Sequence, residues 1–438
     1  MTSTTEVHDT LRESLLVDGY DFVLDLERSQ GSRLLDARDG TPYLDMFSFY
    51  GSNALGMNHP ALVEDAAFRH RLAVVALHKP TSSGVYTTDY ADFVATFRRV
   101  VGDPRLPHLF FIEGGALAVE NALKVAFDWK SRRNEAAGRS AELGSQVMHL
   151  SKAFHGRTGY TMSLTNSAPI KVARFPRFDW PRIPVPALAF PYEHELAAVE
   201  TAEAEALRLA RHAFESNAHD VAAFIAEPVQ AEGGDNHMRP EFLQAMQALC
   251  HEHDALFILD EVQTGCGLTG TPWAYLQLDL QPDIVAFGKK FHVCGIMAGE
   301  RVDEVADNAF HVSSRLASTW GGNLTDMVRA RRMLEVIEAD RLFERIAPLG
   351  EALLNRLLAL QRQHPARVAN ARGRGLMCAF DLPDPDTRDT VVDRMYRDEH
   401  VIILSCGERS IRFRPVLTVT ESELMSACDA LDRVLHRL

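Results

Sequence analysis

From about residue 65 to residue 300, short apolar runs alternate with segments whose apolar residues recur at helical spacing. HLFFI is followed, after Glu113, by Gly114-Gly115 and then ALAVENALKVAFDW, where Leu117, Leu123, Ala126 and Trp129 fall at the helical period. DVAAFIA runs into Glu227, ALFIL into Asp260, and DIVAFG into Lys289. Between them, RPEFLQAMQALCHEHD places Phe242, Met246, Leu249 and Cys250 on one helical face. Strands alternating with amphipathic helices predict βαβ units and an α/β fold on a mainly parallel, seven-stranded-type sheet.

The ends of the chain read differently. SRLLDARDGTPYLDMF predicts two strands around an Asp39-Gly40 turn, because that dipeptide accepts positive φ. The stretch from Leu324 to Gln363 predicts one long helix, and GRGLMCAFDL and SIRFRPVLTV predict strands of a smaller α+β domain. The expected division is a large domain over 65–325, a small domain over 326–438, and an N-terminal segment, 1–64, that joins the small domain. The polar stretch Lys130 to Gln146 is expected to be a loop or helix end with a solvated charged face.

Composition narrows the function classes. The 438 residues are 46% hydrophobic and 24% charged, ordinary for a soluble globular protein, and the net charge of -14 argues against nucleic acid or an anionic membrane as partner. No apolar run reaches the roughly 18 residues of a membrane span. No secretory signal is visible at the start. Six scattered cysteines form no CxxC pair, so no metal site or disulfide framework is indicated, and a reduced, cytoplasmic protein is expected.

Three apolar strands in consecutive units end in Glu227, Asp260 and Lys289. Ligands of an open parallel sheet lie beyond the carboxyl ends of its strands, so these charges stand at the edge where a site belongs. Upstream, Gly115 and Ala116 open a helix whose free N–H groups favour an anion such as phosphate. An anion cradle, a carboxylate, a lysine and the aromatic-plus-arginine element KAFHGRTGY together suit pyridoxal 5′-phosphate. Lysine forms a Schiff base with that cofactor, and an Asp keeps its pyridine nitrogen protonated. The residues alone do not choose between Lys289 and Lys290.

ILDEVQTGCGLTG followed by PDIVAFGKK resembles the class III, ω-type aminotransferases of PLP fold type I, from roughly Asp18 to the C-terminus. More narrowly, GGALAVENALKVAFDWK, RFDWPRI, VCGIMAG and STWGGNLTDMVRARRMLEVIE resemble the members that act on the ε-amino end of lysine. The resemblance implies that Lys289, after Gly288, is the cofactor-linked lysine and that Asp260 pairs with the pyridine nitrogen. It further implies Gln263 at the phenolic oxygen or the substrate, Val262 and Phe154 on the two ring faces, and Gly115 and Ala116 on the phosphate. Glu227 is implied as a supporting residue. Thr319 is implied to reach the phosphate of a neighbouring subunit, hence a homodimer with shared sites.

For substrates, the resemblance implies transfer of the ε-amino group of L-lysine to 2-oxoglutarate, giving 2-aminoadipate 6-semialdehyde, which cyclises, and L-glutamate. Arg157 resembles the arginine that grips the distal carboxylate. Arg412, just before Phe413, resembles the one that grips the carboxylate beside the reacting carbon, with Arg414 as the alternative, and Glu232 would cover it while lysine is bound. Ala317, Ala231 and Phe291-His292 depart from the family pattern and bear on donor preference. Ornithine, 4-aminobutyrate or diaminobutyrate as donor, and a racemase or aminomutase of the same fold, are the competing readings.

Overall fold

The computed structural model describes residues 2–438. Near the N-terminus, β1 (Arg33–Leu35) and β2 (Pro42–Asp45) pair antiparallel, with Leu35 opposite Pro42. Gly40 takes φ 80° in the connecting turn, and the Asp39 carboxylate accepts the Thr41 N–H at 2.8 Å.

Seven strands form the large sheet: β3 (His108–Ile112), β4 (Gln146–Leu150), β5 (Arg182–Ile183), β6 (Val221–Ala226), β7 (Leu256–Asp260), β8 (Ile284–Phe287) and β9 (Cys294–Ala298). Their spatial order is β3-β9-β8-β7-β6-β4-β5, and only β9 runs against its neighbours. Successive side chains of a strand point to opposite faces. Accordingly Phe257 and Leu259 of β7 enter one apolar cluster, with Phe224, Val285 and Phe287, while Leu256 and Ile258 enter a second, with Ile225, Ile284 and Ala286. Covering on both faces is what a sheet of this kind requires, and it explains why the central strands read as near-continuous apolar runs.

A second sheet follows: β10 (Ala369–Arg374), β11 (Met377–Asp381), β13 (Leu404–Cys406) and β14 (Ser410–Phe413), all antiparallel in the order β10-β11-β14-β13. The short strand β12 (Val401–Ile402) instead pairs parallel with β2, and Leu34, Phe47, Ile402 and Leu404 close a small apolar cluster between the two ends of the chain.

Two local expectations change. The long helix is two, Leu324–Ala339 and Leu342–Gln363, broken where Arg341 takes the left-handed conformation at φ 51°. The break lets Leu342 begin a second helix with its side chain buried. The helix from Gly115 also continues to Ala136, so its end is not wholly a solvated face. Lys130 is fully buried there and donates to the Asp254 carbonyl at 2.5 Å and the His253 carbonyl at 3.3 Å. Among the described residues, no helix is long and apolar enough to cross a membrane.

Candidate active site

The three adjacent central strands β6, β7 and β8 end at one edge of the sheet, where Asp260 closes β7 and Glu227 and Lys289 lie just past β6 and β8. They line a cavity of about 650 Å³ together with Gly115, Ala116, Phe154, Arg157, Glu232, Val262, Gln263 and Arg412. Thr319 is the one residue of the expected set outside that lining. It is exposed, in the turn whose Ser318 carbonyl accepts the Ser83 hydroxyl at 2.7 Å. Of the family departures, Ala231 lines the cavity, while Phe291 stacks on Trp273 in the core.

Asp260 is held from two sides. Its Oδ1 accepts the Val262 N–H at 3.1 Å, and its Oδ2 lies 2.7 Å from His155 Nδ1. Burial opposes a charge on His155, but the hydrogen bond and charge of Asp260 prevail and hold the imidazole above its ordinary range. Glu227 accepts the Phe154 N–H at 3.0 Å and the Ala231 N–H at 2.9 Å, which ties the ends of β4 and β6 together. Burial pushes its carboxyl up to about 7.

The two lysines separate. Lys289, at φ 50°, reaches into the cavity and donates to the Tyr50 carbonyl at 3.0 Å. Burial, then Arg412 and Arg414, bring its amine down to about 8. Lys290 is 1% exposed and donates to the Gly51 carbonyl at 3.0 Å, away from the cavity lining. Burial brings it down to about 7. The Tyr50 carbonyl ends a run of non-glycine residues in left-handed conformation, Ser48, Phe49 and Tyr50, and Gly51 follows it; the run is anchored by Asp45, which accepts the Phe47 and Ser48 N–H groups at 2.8 and 2.7 Å.

Charge on the substrate side is mostly paired. Arg412 Nη2 donates to Glu232 Oε2 at 2.5 Å, and Lys171 Nζ donates to Glu232 Oε1. Arg414 is fully buried and reaches Asp235 at 2.5 Å and Gln263 Oε1 at 2.9 Å. Arg157 is exposed to the cavity and, among the described residues, has no ion-pair partner. His155, Lys171, the Tyr50 carbonyl and the Arg414–Asp235 pair were not expected from the sequence. Only His155 carried a signal, its place beside Phe154 in KAFHGRTGY.

The gap at the start of the Gly115–Ala136 helix is maintained sterically. A Cβ on Gly115 would lie 2.9 Å from Val262 Cγ1, and one on Gly156 would lie 2.5 Å from Ala116 Cβ. The helix therefore presents bare backbone N–H groups to the cavity beside the lysine and the two-sided carboxylate.

This arrangement coincides with a family match. The aminotransferase class-III model covers residues 17–435, and the chain belongs to that family. Among its relatives, the L-lysine-epsilon aminotransferase of Mycobacterium tuberculosis is 60% identical over 434 residues, 99% of this chain and 96% of that protein. The protein of the same name from Streptomyces clavuligerus is 57% identical over 426 residues, 97% of this chain and 93% of that one. A solved structure of lysine aminotransferase from M. tuberculosis in the internal aldimine form superposes with a TM-score of 0.97 at 60% identity, covering 100% of both chains.

Proposed function

We propose that this protein transfers the ε-amino group of L-lysine to 2-oxoglutarate with pyridoxal 5′-phosphate, yielding 2-aminoadipate 6-semialdehyde and L-glutamate. The observation that carries the reading is the pairing of Arg412 with Glu232 in the same cavity as an unpaired Arg157. Lysine presents no carboxylate beside its reacting amine, so a free Arg412 would be a buried cation without a partner, which is costly. With Glu232 on it, the site suits a donor whose only carboxylate is distal and meets Arg157. For 2-oxoglutarate, Glu232 moves off and Arg412 receives the carboxylate beside the reacting carbon.

The cavity residues fit the cofactor. Asp260 suits a protonated ring nitrogen, Phe154 and Val262 its two faces, Gln263 its phenolic oxygen, and Gly115 and Ala116 its phosphate. The steric gap at Gly115 and the buried His155–Asp260 pair support that assignment. When bound, the cofactor supplies an electron sink for the carbon being deprotonated. Lys289 takes a proton from the ε-carbon of lysine, a role suited to an amine that ionises at about 8. Glu227 positions Phe154 through its backbone N–H. Thr319, exposed in its own chain, is assigned to the phosphate end of a second copy's site, so the working form is a homodimer; the compartment assigned to it is the cytoplasm.

The domain division at 65 and 325 belongs to the same reading; the pairing of β2 with β12 supports its placing of the N-terminal segment with the small domain. The test is direct. Purified protein, pyridoxal phosphate, L-lysine and 2-oxoglutarate should give glutamate and the cyclic imine in equal amounts. Greater glutamate yield from ornithine or 4-aminobutyrate would replace lysine as the donor, and product without a keto acid would replace transamination.

A further inference from the structure

Two cations at the cavity wall depend on one carboxylate. Arg414 has Asp235 to itself, but Arg412 and Lys171 share Glu232. Burial pushes the Glu232 carboxyl up, and Arg412 and then Lys171 outweigh it and hold it below its ordinary value. The main chain around Glu232 is pinned. Its carbonyl accepts the Gly407 N–H at 2.9 Å, and Gln230 and Asn236 exchange backbone hydrogen bonds at 3.0 and 2.8 Å. Gly233 packs so closely that a Cβ there would lie 2.0 Å from the Lys152 carbonyl oxygen. Separating Glu232 from Arg412 therefore takes rotation of the Glu232 side chain.

Lys171 is placed to follow that rotation. It closes the short turn Pro169–Lys171, is partly exposed, and its ammonium lies 5.1 Å from the Phe154 ring centroid, a second favourable contact near the cavity. Its flexible stem lets the charge move with its partner.

We propose that Lys171 is a positioning residue for the Glu232–Arg412 gate, staying with the Glu232 carboxylate when it leaves Arg412, so that a dicarboxylic acid is admitted without leaving the partly buried Glu232 carboxylate unpaired. The gate itself is the reading of Arg412 and Glu232 proposed above, and the role of Lys171 rests on it. Removing one partner of a buried pair is costly because the remaining charge is uncompensated. With Arg412 paired, Glu232 has a partner whether or not Lys171 is present. With Arg412 released, Lys171 is the cation left to it.

The test uses the holoenzyme and reads kcat/KM for L-lysine and for 2-oxoglutarate, which a ping-pong reaction reports separately. In Lys171→Met the ratio of the 2-oxoglutarate value to the lysine value falls about tenfold or more, and glutarate binds correspondingly more weakly by calorimetry. Lys171→Arg recovers both. In a Glu232→Ala background, Lys171→Met leaves the ratio where Glu232→Ala put it. The proposal is overturned by a wild-type ratio in Lys171→Met, by both kcat/KM values falling in step, or by Arg failing to substitute. Arg412→Met tells the two failures apart. An unchanged ratio there removes the gate reading itself, whereas a collapsed ratio there with an intact one in Lys171→Met removes only the role of Lys171.

Discussion

His155 Nδ1 stands 2.7 Å from Asp260 Oδ2, with the imidazole fully buried and the carboxylate nearly so. The contact joins the loop after β4 to the end of β7 and gives Asp260 a hydrogen-bonding partner within the protein. The raised histidine sets a direction for stability. A group whose folded value lies above its unfolded one contributes fully below the unfolded value, about 6.5 for histidine, and loses that contribution as pH rises through the folded value. The urea-unfolding free energy of wild type should therefore exceed that of His155→Gln most at about pH 6, with the gap narrowing as the pH is raised. A gap that widens with pH would reverse the assignment.

Lys289 and Lys290 should separate cleanly. Lys289→Ala is expected to lose the absorbance of bound pyridoxal phosphate and, with its acid–base group gone, at least about a hundredfold in activity. Lys290 sits in the core, and its amine is depressed to about 7. Its unfolded form binds a proton that the folded form lacks above that value, so stability rises with pH from about 7 toward 10.5. Between pH 7 and 9, wild type should gain about 2–3 kcal/mol over Lys290→Met in denaturant unfolding. An equal slope for the two proteins would show that Lys290 is not held in that way.

Gly156 combines φ 118° with a Cβ position 2.5 Å from Ala116 Cβ and 2.9 Å from Thr161 Oγ1. Gly156→Ala should lower stability by about 1–3 kcal/mol through strain and overpacking. Because the push falls on Ala116, pyridoxal phosphate should also dissociate faster. Calorimetric Tm and the rate of cofactor loss on dilution measure the two effects, and unaltered retention would place the phosphate elsewhere.

Arg157 faces the cavity without an ion-pair partner among the described residues, which suits the distal carboxylate of either substrate. Wild type should favour lysine over cadaverine, the same diamine lacking the carboxylate. Arg157→Met should erase most of that preference by lowering kcat/KM for lysine about tenfold or more, with little change for cadaverine. Equal losses on both donors would assign Arg157 a structural part instead.

Much of the scaffold was legible because burial leaves a trace in one dimension. VAAFIA, LFIL and IVAF are apolar at every position since both sheet faces are covered, and the charges at or just past their ends mark where the strands stop. The break at Arg341 left no such trace, because one left-handed residue does not interrupt a helical pattern of apolar positions. Lys130 misled for a related reason. Its partners are carbonyls of His253 and Asp254, remote in sequence, and a lysine looks the same along the chain whether water or backbone receives its protons.

The chain by itself determined the alternation of strands and helices, the sheet edge at which a site could form, and the types of residue available there, since each depends on local period and burial. Tertiary packing alone decided that Lys290 turns into the core while Lys289 faces the cavity, that His155 meets Asp260, and that Lys171 joins Arg412 on Glu232. Those are relations of direction and distance between segments far apart in sequence. They exist only once the backbone has been fixed in space by everything packed around it.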